Sequence, residues 1–181
     1  NGFDKDEGPR DVTMEQLQKL KPVFRKDGSV TAGNSCGRND GASVVMVMSR
    51  EKAKALGKSY YLKHITSAVA GVSPRIMGIG PIDATRKALK KSGLSLNQIG
   101  MIELNEAFSS QSVAVLREWA SWNKSDNYEK IHSRTNINGG AIALGHPMGA
   151  TGSILTTKLF YALQNRPDVR YALVTMCIGG G

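Results

Sequence analysis

His146 stands in the run Asn136–Gly152, "NINGGAIALGHPMGATG", which holds five glycines and no other acid or base. Gly145 before it permits unusual dihedrals, and Pro147 after it fixes the next residue, so the imidazole sits on a stiff loop ahead of a helix. A structural turn, a phosphate cradle and a catalytic loop all share this composition. Cys177 closes an apolar run and precedes Ile178 and three glycines. A buried cysteine is usually inert, but one at a strand end beside bare backbone can act as base or nucleophile if its thiolate is stabilised. The N–H groups of the glycines could form an oxyanion hole. Asn105 opens "NEAF" just after the apolar "MIEL". Two readings fit it: a helix N-cap, or an amide that positions a water or a carbonyl. Glu106 next to it suits a first helical turn without any further role. "VTAGNSCGRNDGAS", Val30–Ser43, is rich in Gly and Asn, which means tight turns and exposed amides suited to a ligand or to a plain turn. His64 and His132 receive no role.

The elements that must position these groups alternate between strand and helix. "TMEQLQKL" reads as a short helix capped by Thr13, with Pro22 beyond it, and residues 1–30 read as the tail of a preceding segment. "ASVVMVMS" and "YYLKHITSAVAG" are strand candidates. "SREKAKALG" between them is a helix capped by Ser49 and stopped at Gly57. "PIDATRKALKKSG" is a helix from Pro81 to Gly93. "MIEL" is a strand, "EAFSSQSVAVLREWA" a helix, residues 121–135 an exposed loop, "ATGSILTTKLFYALQN" a helix and "VRYALVTMC" a final strand. This order implies an α/β sheet, in which ligands bind at strand ends.

The chain has 181 residues, 40% hydrophobic and 22% charged, as expected of a globular domain. No apolar run approaches the roughly 20 residues that span a bilayer. The start lacks Met and a signal-peptide pattern, and the end stops straight after "CIGGG", so a fragment of a longer protein is expected. Two cysteines without a CxxC pair argue against zinc and disulfide frameworks and for a reducing, cytoplasmic compartment. The net charge of +9 favours anionic partners, yet 6% aromatic residues and the absence of an RNP-like strand argue against nucleic acid. The densest basic group, Arg86, Lys87, Lys90 and Lys91, reads as a solvated helix face. "GIG" lacks the third glycine of a dinucleotide fingerprint and no phosphate-loop lysine motif is present, which excludes NAD and ATP.

Taken in order, "VTAGN.CG.NDGAS", "GIGP..AT..AL", "NEAF", "N.NGGAIALGHP.GATG" and "CIGGG" resemble the C-terminal half of a thiolase of the acetyl-CoA acetyltransferase type, across nearly the whole chain. The last two motifs are specific in combination; "NEAF" alone is weak. The resemblance implies a βαβαβαββ half, a mixed sheet with helices on both faces, its last strand missing. It assigns residues 1–30 to the tail of an inserted loop domain and 31–181 to the C-terminal domain. It implies Claisen condensation of two acetyl-CoA to acetoacetyl-CoA and the reverse thiolysis. His146 would activate a nucleophilic cysteine of the N-terminal half and help bind a thioester oxygen. Asn105 would fix a water in the same oxyanion hole, Cys177 would take the α-proton, and Gly179 would lend its N–H to the other oxyanion hole.

On the substrate side, Ala32, Gly33, Ser35, Cys36 and Gly37 resemble the loop lining the pantetheine, Arg10 the residue near the adenine nucleotide, and Met77 and Phe108 the acyl end of the tunnel. Coenzyme A thioester is then substrate, with no prosthetic group and no metal, and the whole protein is expected to be a homodimer or homotetramer. Two departures stand out. "NSCG" replaces the usual "NASG", putting the weaker donor Cys36 where a serine hydroxyl usually binds pantetheine. "SWNKSDNYEKIHSR" is longer than the usual connection and is expected to be a surface insertion. No residue here matches the acylated nucleophile, so the isolated piece is expected to lack turnover. A non-catalytic module binding CoA or an acyl carrier is the alternative. A ketoacyl-synthase relative is another, although that would normally present two catalytic histidines, where this chain offers a His and a Cys.

Overall fold

The computed structural model describes residues 2 and 4–181. Short helices form where the sequence carries local caps. Thr13 accepts from Gln16 N and starts α1 (Met14–Gln18) with a reciprocal capping box. Ser49 accepts from Lys52 N at the start of α2 (Arg50–Ala55). A 3-10 turn, Pro74–Ile79, leads into α3 (Gly80–Ser92), which ends at Gly93 in the left-handed region, φ 70°. β1 (Ile99–Leu104) follows, then α4 (Ser109–Ala120), α5 (Tyr128–Ser133), α6 (Ala141–Leu144), α7 (Thr151–Gln164) and β2 (Tyr171–Thr175).

β1 and β2 pair in parallel, Ile102 opposite Leu173 and Leu104 opposite Thr175. Between them, residues 105–170 cross over, as parallel pairing requires. The core gathers on this pair: Ile99, Ile102 and Leu104 pack with Val115, Leu116 and Trp119 of α4 and with Ile131 of α5. On its other edge β1 is met by the segment Arg134–Asn136. Ile102 N donates to the Arg134 carbonyl at 2.9 Å, and Asn136 N donates to the Ile102 carbonyl at 2.8 Å. Beyond that point the Asn136 side chain takes over. Its Oδ1 accepts from Leu104 N at 2.9 Å and its Nδ2 donates to the Leu104 carbonyl at 2.8 Å. A side-chain amide thus satisfies backbone groups that would otherwise be stranded.

"ASVVMVMS" and "YYLKHITSAVAG" are not paired strands; among the described residues no ladder runs beside them. Strand character is not local: the backbone needs a neighbouring strand, whereas a helix satisfies its own. The first segment touches α7 through Ser43 Oγ and Thr157 Oγ1, 3.1 Å apart, and leaves Val44 92% and Val47 90% exposed. The second lies on α7 and α3, with Tyr60 edge-on to Phe160 and with Lys91 and Lys87 donating to the Ser67 and Val69 carbonyls. Part of the basic group on α3 is therefore engaged within the chain, not merely solvated.

Residues 121–135 are not simply an exposed loop. Asn127 caps α5 by accepting from Lys130 N at 2.9 Å, Ile131 is fully buried, and Asp126, itself buried, pairs with Arg134 at 2.9 Å. Ile131 in the core, Trp122 and Tyr128 packed against it, and one ion pair hold the connection in place. Truncating Ile131 to alanine is expected to cost about 2–5 kcal/mol, read as a lowered urea midpoint of the full-length protein. No helix of the structure is long and apolar enough to cross a membrane among the described residues.

Candidate active site

The parallel strands end side by side, and their C-terminal ends carry two of the expected residues. Asn105 directly follows β1; it is buried and donates its N–H to the Thr175 carbonyl at 3.0 Å. Cys177 lies two residues beyond β2 and is also buried. The N-cap reading of Asn105 falls, because α4 begins only at Ser109 and its N-cap position is Phe108. The Asn105 side chain is free for another use. Its Nδ2 lies 3.4 Å from His146 Nε2, and its Oδ1 is buried without a partner among the described residues.

The imidazole is held from its other side. His146 Nδ1 lies 2.7 Å from Thr151 Oγ1, and that hydroxyl donates to the Pro147 carbonyl at 3.0 Å. A hydroxyl has one proton, so toward the ring Thr151 can only accept. The proton is therefore assigned to Nδ1, which leaves the Nε2 lone pair facing the Asn105 amide. Burial pushes the imidazole below its ordinary value. It stays neutral, and able to accept a proton, at pH values where an exposed histidine is already cationic. The acid limb of kcat/KM of the full-length protein is thus expected below pH ~6.5, the ordinary imidazole value. A limb above that value would contradict it. The same shift makes the unfolded chain bind more protons as pH falls through ~6.5, so His146 subtracts stability on the acid side and nothing well above it.

Four residues that carried no functional assignment from sequence fix the loop bearing His146. Asn39 Oδ1 accepts from His146 N at 3.0 Å. Its side chain fills the space where a Cβ on Gly145 would stand, and Gly145 has φ 97°. Glu106 Oε1 accepts from Asn136 Nδ2 at 3.0 Å, and Oε2 accepts from Ile142 N at 3.4 Å. Any Cβ on Gly140 would collide with that carboxylate, so the glycine is needed for close approach. Thr151 and Asn136 complete the set. Their signal in the sequence was only a polar residue among glycines.

The loop proposed to line the pantetheine is stitched to "NEAF". Cys36 N donates to the Ala107 carbonyl at 3.1 Å, Ser109 N donates to the Asn34 carbonyl at 2.9 Å, and Ser35 bridges Phe108. Ser35 Oγ is spent on the Thr31 carbonyl, 2.8 Å away. Gly33 admits Leu17 and Leu20, which would crowd a Cβ there, and Gly37 does the same for Asn39; Ala32 is exposed. Burial raises the thiols of both Cys36 and Cys177, and the neighbouring Cys36 adds to the rise at Cys177. Phe108 is half-buried with its ring edge-on to Phe24. Met77 is half-buried in the 3-10 turn, whose Gly78 abuts Gln111 of α4. Arg10 is exposed, on a segment that passes the Ala143 carbonyl at Gly8. Gly179 is exposed beyond Cys177. The structure thus brings Asn105, His146 and the loop at 31–37 to one end of the sheet and gives no contact joining Arg10, Met77 or Gly179 to the imidazole.

The chain matches known proteins over nearly its full length. Residues 59–181 match the family model for the thiolase C-terminal domain and residues 1–51 that for the thiolase N-terminal domain. The chain belongs to the thiolase family. It is 54% identical over 181 residues to an acetyl-CoA acetyltransferase of Pseudomonas aeruginosa, covering 99% of this chain and 44% of that protein. It is 50% identical over 180 residues to a 3-ketoacyl-CoA thiolase of Bacillus subtilis, covering 99% and 44%. The crystal structure of Bacillus anthracis acetyl-CoA acetyltransferase superposes with a TM-score of 0.85 at 44% identity, over 99% of this chain and 43% of that one. The human mitochondrial 3-ketoacyl-CoA thiolase does so at 0.83 and 44%, over 97% and 42%. The fold is therefore that of thiolases, and the chain spans less than half the length of these relatives.

Proposed function

We propose that this chain is the C-terminal portion of an acetyl-CoA C-acetyltransferase that condenses two acetyl-CoA to acetoacetyl-CoA and CoA and runs the reverse thiolysis. The observation that carries it is the Asn105–His146–Thr151 chain of contacts, which leaves Nε2 as a base at the strand end that precedes Cys177. In the proposed acylation, a cysteine of the N-terminal half gives its proton to Nε2 and attacks the thioester. The CoA thiolate leaves and takes the proton of Cys177, which becomes a thiolate. That thiolate removes the α-proton of the second acetyl-CoA, the enolate attacks the acyl-cysteine, and the imidazolium returns its proton to the departing cysteine. Charges and protons close over the cycle. The resting state it needs, a neutral imidazole and a neutral thiol, agrees with the downward shift at His146 and the upward shift at Cys177.

In this reading the buried, unpartnered Asn105 Oδ1 accepts from a water that serves the thioester oxyanion. Gly179 supplies its N–H to the second oxyanion. The loop Ala32–Gly37 lines pantetheine with a Cys36 thiol in place of a hydroxyl, Arg10 meets the nucleotide, and Met77 and Phe108 bound the acyl end. CoA thioester is substrate and no prosthetic group is needed. The whole protein works in the cytoplasm as a dimer or tetramer. The test is thiolysis of acetoacetyl-CoA by the full-length protein and by this chain alone. Turnover by the first and none by the second is expected. Turnover by the isolated chain would overturn the assignment of roles, and an inert full-length protein would overturn the activity.

A further inference from the structure

The carboxylate of Glu103 is fully buried in the middle of a strand, and the proposed chemistry makes no use of it. Its Oε2 accepts from Lys158 Nζ at 2.9 Å, and its Oε1 has no partner among the described residues. The same ammonium donates to the Gly139 carbonyl at 2.6 Å, within the glycine run that leads to His146. Burying a carboxylate with a half-buried ammonium is expensive, and an apolar pair would hold β1 and α7 together as well or better. What such a pair can supply instead is one fixed orientation.

Its placement says which orientation. Glu103 lies two residues before Asn105, a spacing that repeats the same face along a strand. Lys158 lies seven residues after Thr151, two turns along one face of α7. The strand and the helix are thus joined by two polar cross-links in step, Asn105–His146–Thr151 and Glu103–Lys158. The second also grips the backbone of the loop that carries the histidine.

We propose that Lys158 is a positioning residue: held by Glu103, it tethers the Gly139 carbonyl and so sets where the His146 loop lies against the end of β1. The proposal rests on the reading of His146 as the base. Lys158→Met alone would strand a buried carboxylate, so the informative pair is Glu103→Gln and the double variant Glu103→Gln/Lys158→Met, made in the full-length protein. Glu103→Gln keeps the ammonium and its bond to Gly139, whereas the double variant removes both charges and the tether.

Hydrogen exchange of the peptide covering residues 137–146 reads the loop directly, beside kcat and KM for acetoacetyl-CoA thiolysis. In the double variant, exchange there is expected to quicken about tenfold while β1 keeps its protection. Its kcat is expected to fall on the order of 100-fold, with KM held within about twofold, because a base displaced by about an ångström loses rate more than binding. Glu103→Gln, which keeps the ammonium and a neutral acceptor for it, is expected to lie between wild type and the double variant in both loop exchange and kcat. Equal loop exchange in the two variants, or a loss confined to KM, would overturn the tether. Faster exchange in a protein whose wild type performs no thiolysis supports the tether and overturns the reading of His146.

Discussion

His146→Ala in the full-length protein is expected to lower kcat for acetoacetyl-CoA thiolysis by about 10²–10⁴-fold, the span that a positioned acid–base group supplies. The imidazole is half-buried and has polar partners in the Asn105 amide and the Thr151 hydroxyl, while the backbone N–H of His146 donates to Asn39. Losing it leaves no large cavity, so the melting temperature should stay close to wild type. The loss should fall on the step that acylates the N-terminal cysteine, seen with acetyl-CoA as the acyl donor as a vanished burst of CoA release. Asn105→Ala should cost less, since it removes one amide and leaves Nε2 in place. An alanine variant of His146 with near-normal kcat would remove this residue from the chemistry.

Cys177→Ala is expected to separate the two halves of the proposed reaction. CoA is a thiol and leaves as a thiolate at a pH near 8 with little help, so the acyl-enzyme should still form and be trapped with labelled acetyl-CoA. Removal of the α-proton has no such alternative. Deuterium entry into the methyl group of acetyl-CoA should drop by about 10²–10⁴-fold. Retained exchange would assign the proton transfer to another group. In the proposed cycle, a thiol raised by burial agrees with a base that is loaded during turnover and not at rest, since burial disfavours the thiolate until a leaving group has taken its proton.

What could be read from the sequence followed how local each determinant is. Thr13, Ser49 and Gly93 act within a few residues, and the helices they bound stand where expected. The glycine run round His146 announced a loop with room beside it. Its supports were invisible because they come from far away: Asn39 reaches His146 N across 107 positions and Asn136 reaches Leu104 across 32. α5 does not show in the sequence because Trp122, Tyr128 and Ile131 are too sparse in a polar stretch to mark a helical period, and Ile131 is the helix's one buried residue. Asn105 was ambiguous because the same residue type caps helices and lines sites, and only the start of α4 at Ser109 separates the two.

The exposed stretch Val44–Val47 has a practical consequence. Valines and methionine follow one another without charge or proline, and among the described residues neither edge of that backbone is paired in a ladder. Segments of this kind template cross-β stacking between copies. A preparation of this chain alone is therefore expected to aggregate as its concentration rises, and salt, which screens the +9 net charge, should hasten that. Assays of the isolated chain belong at high dilution and low ionic strength, where lost turnover reports missing chemistry and not clumped protein.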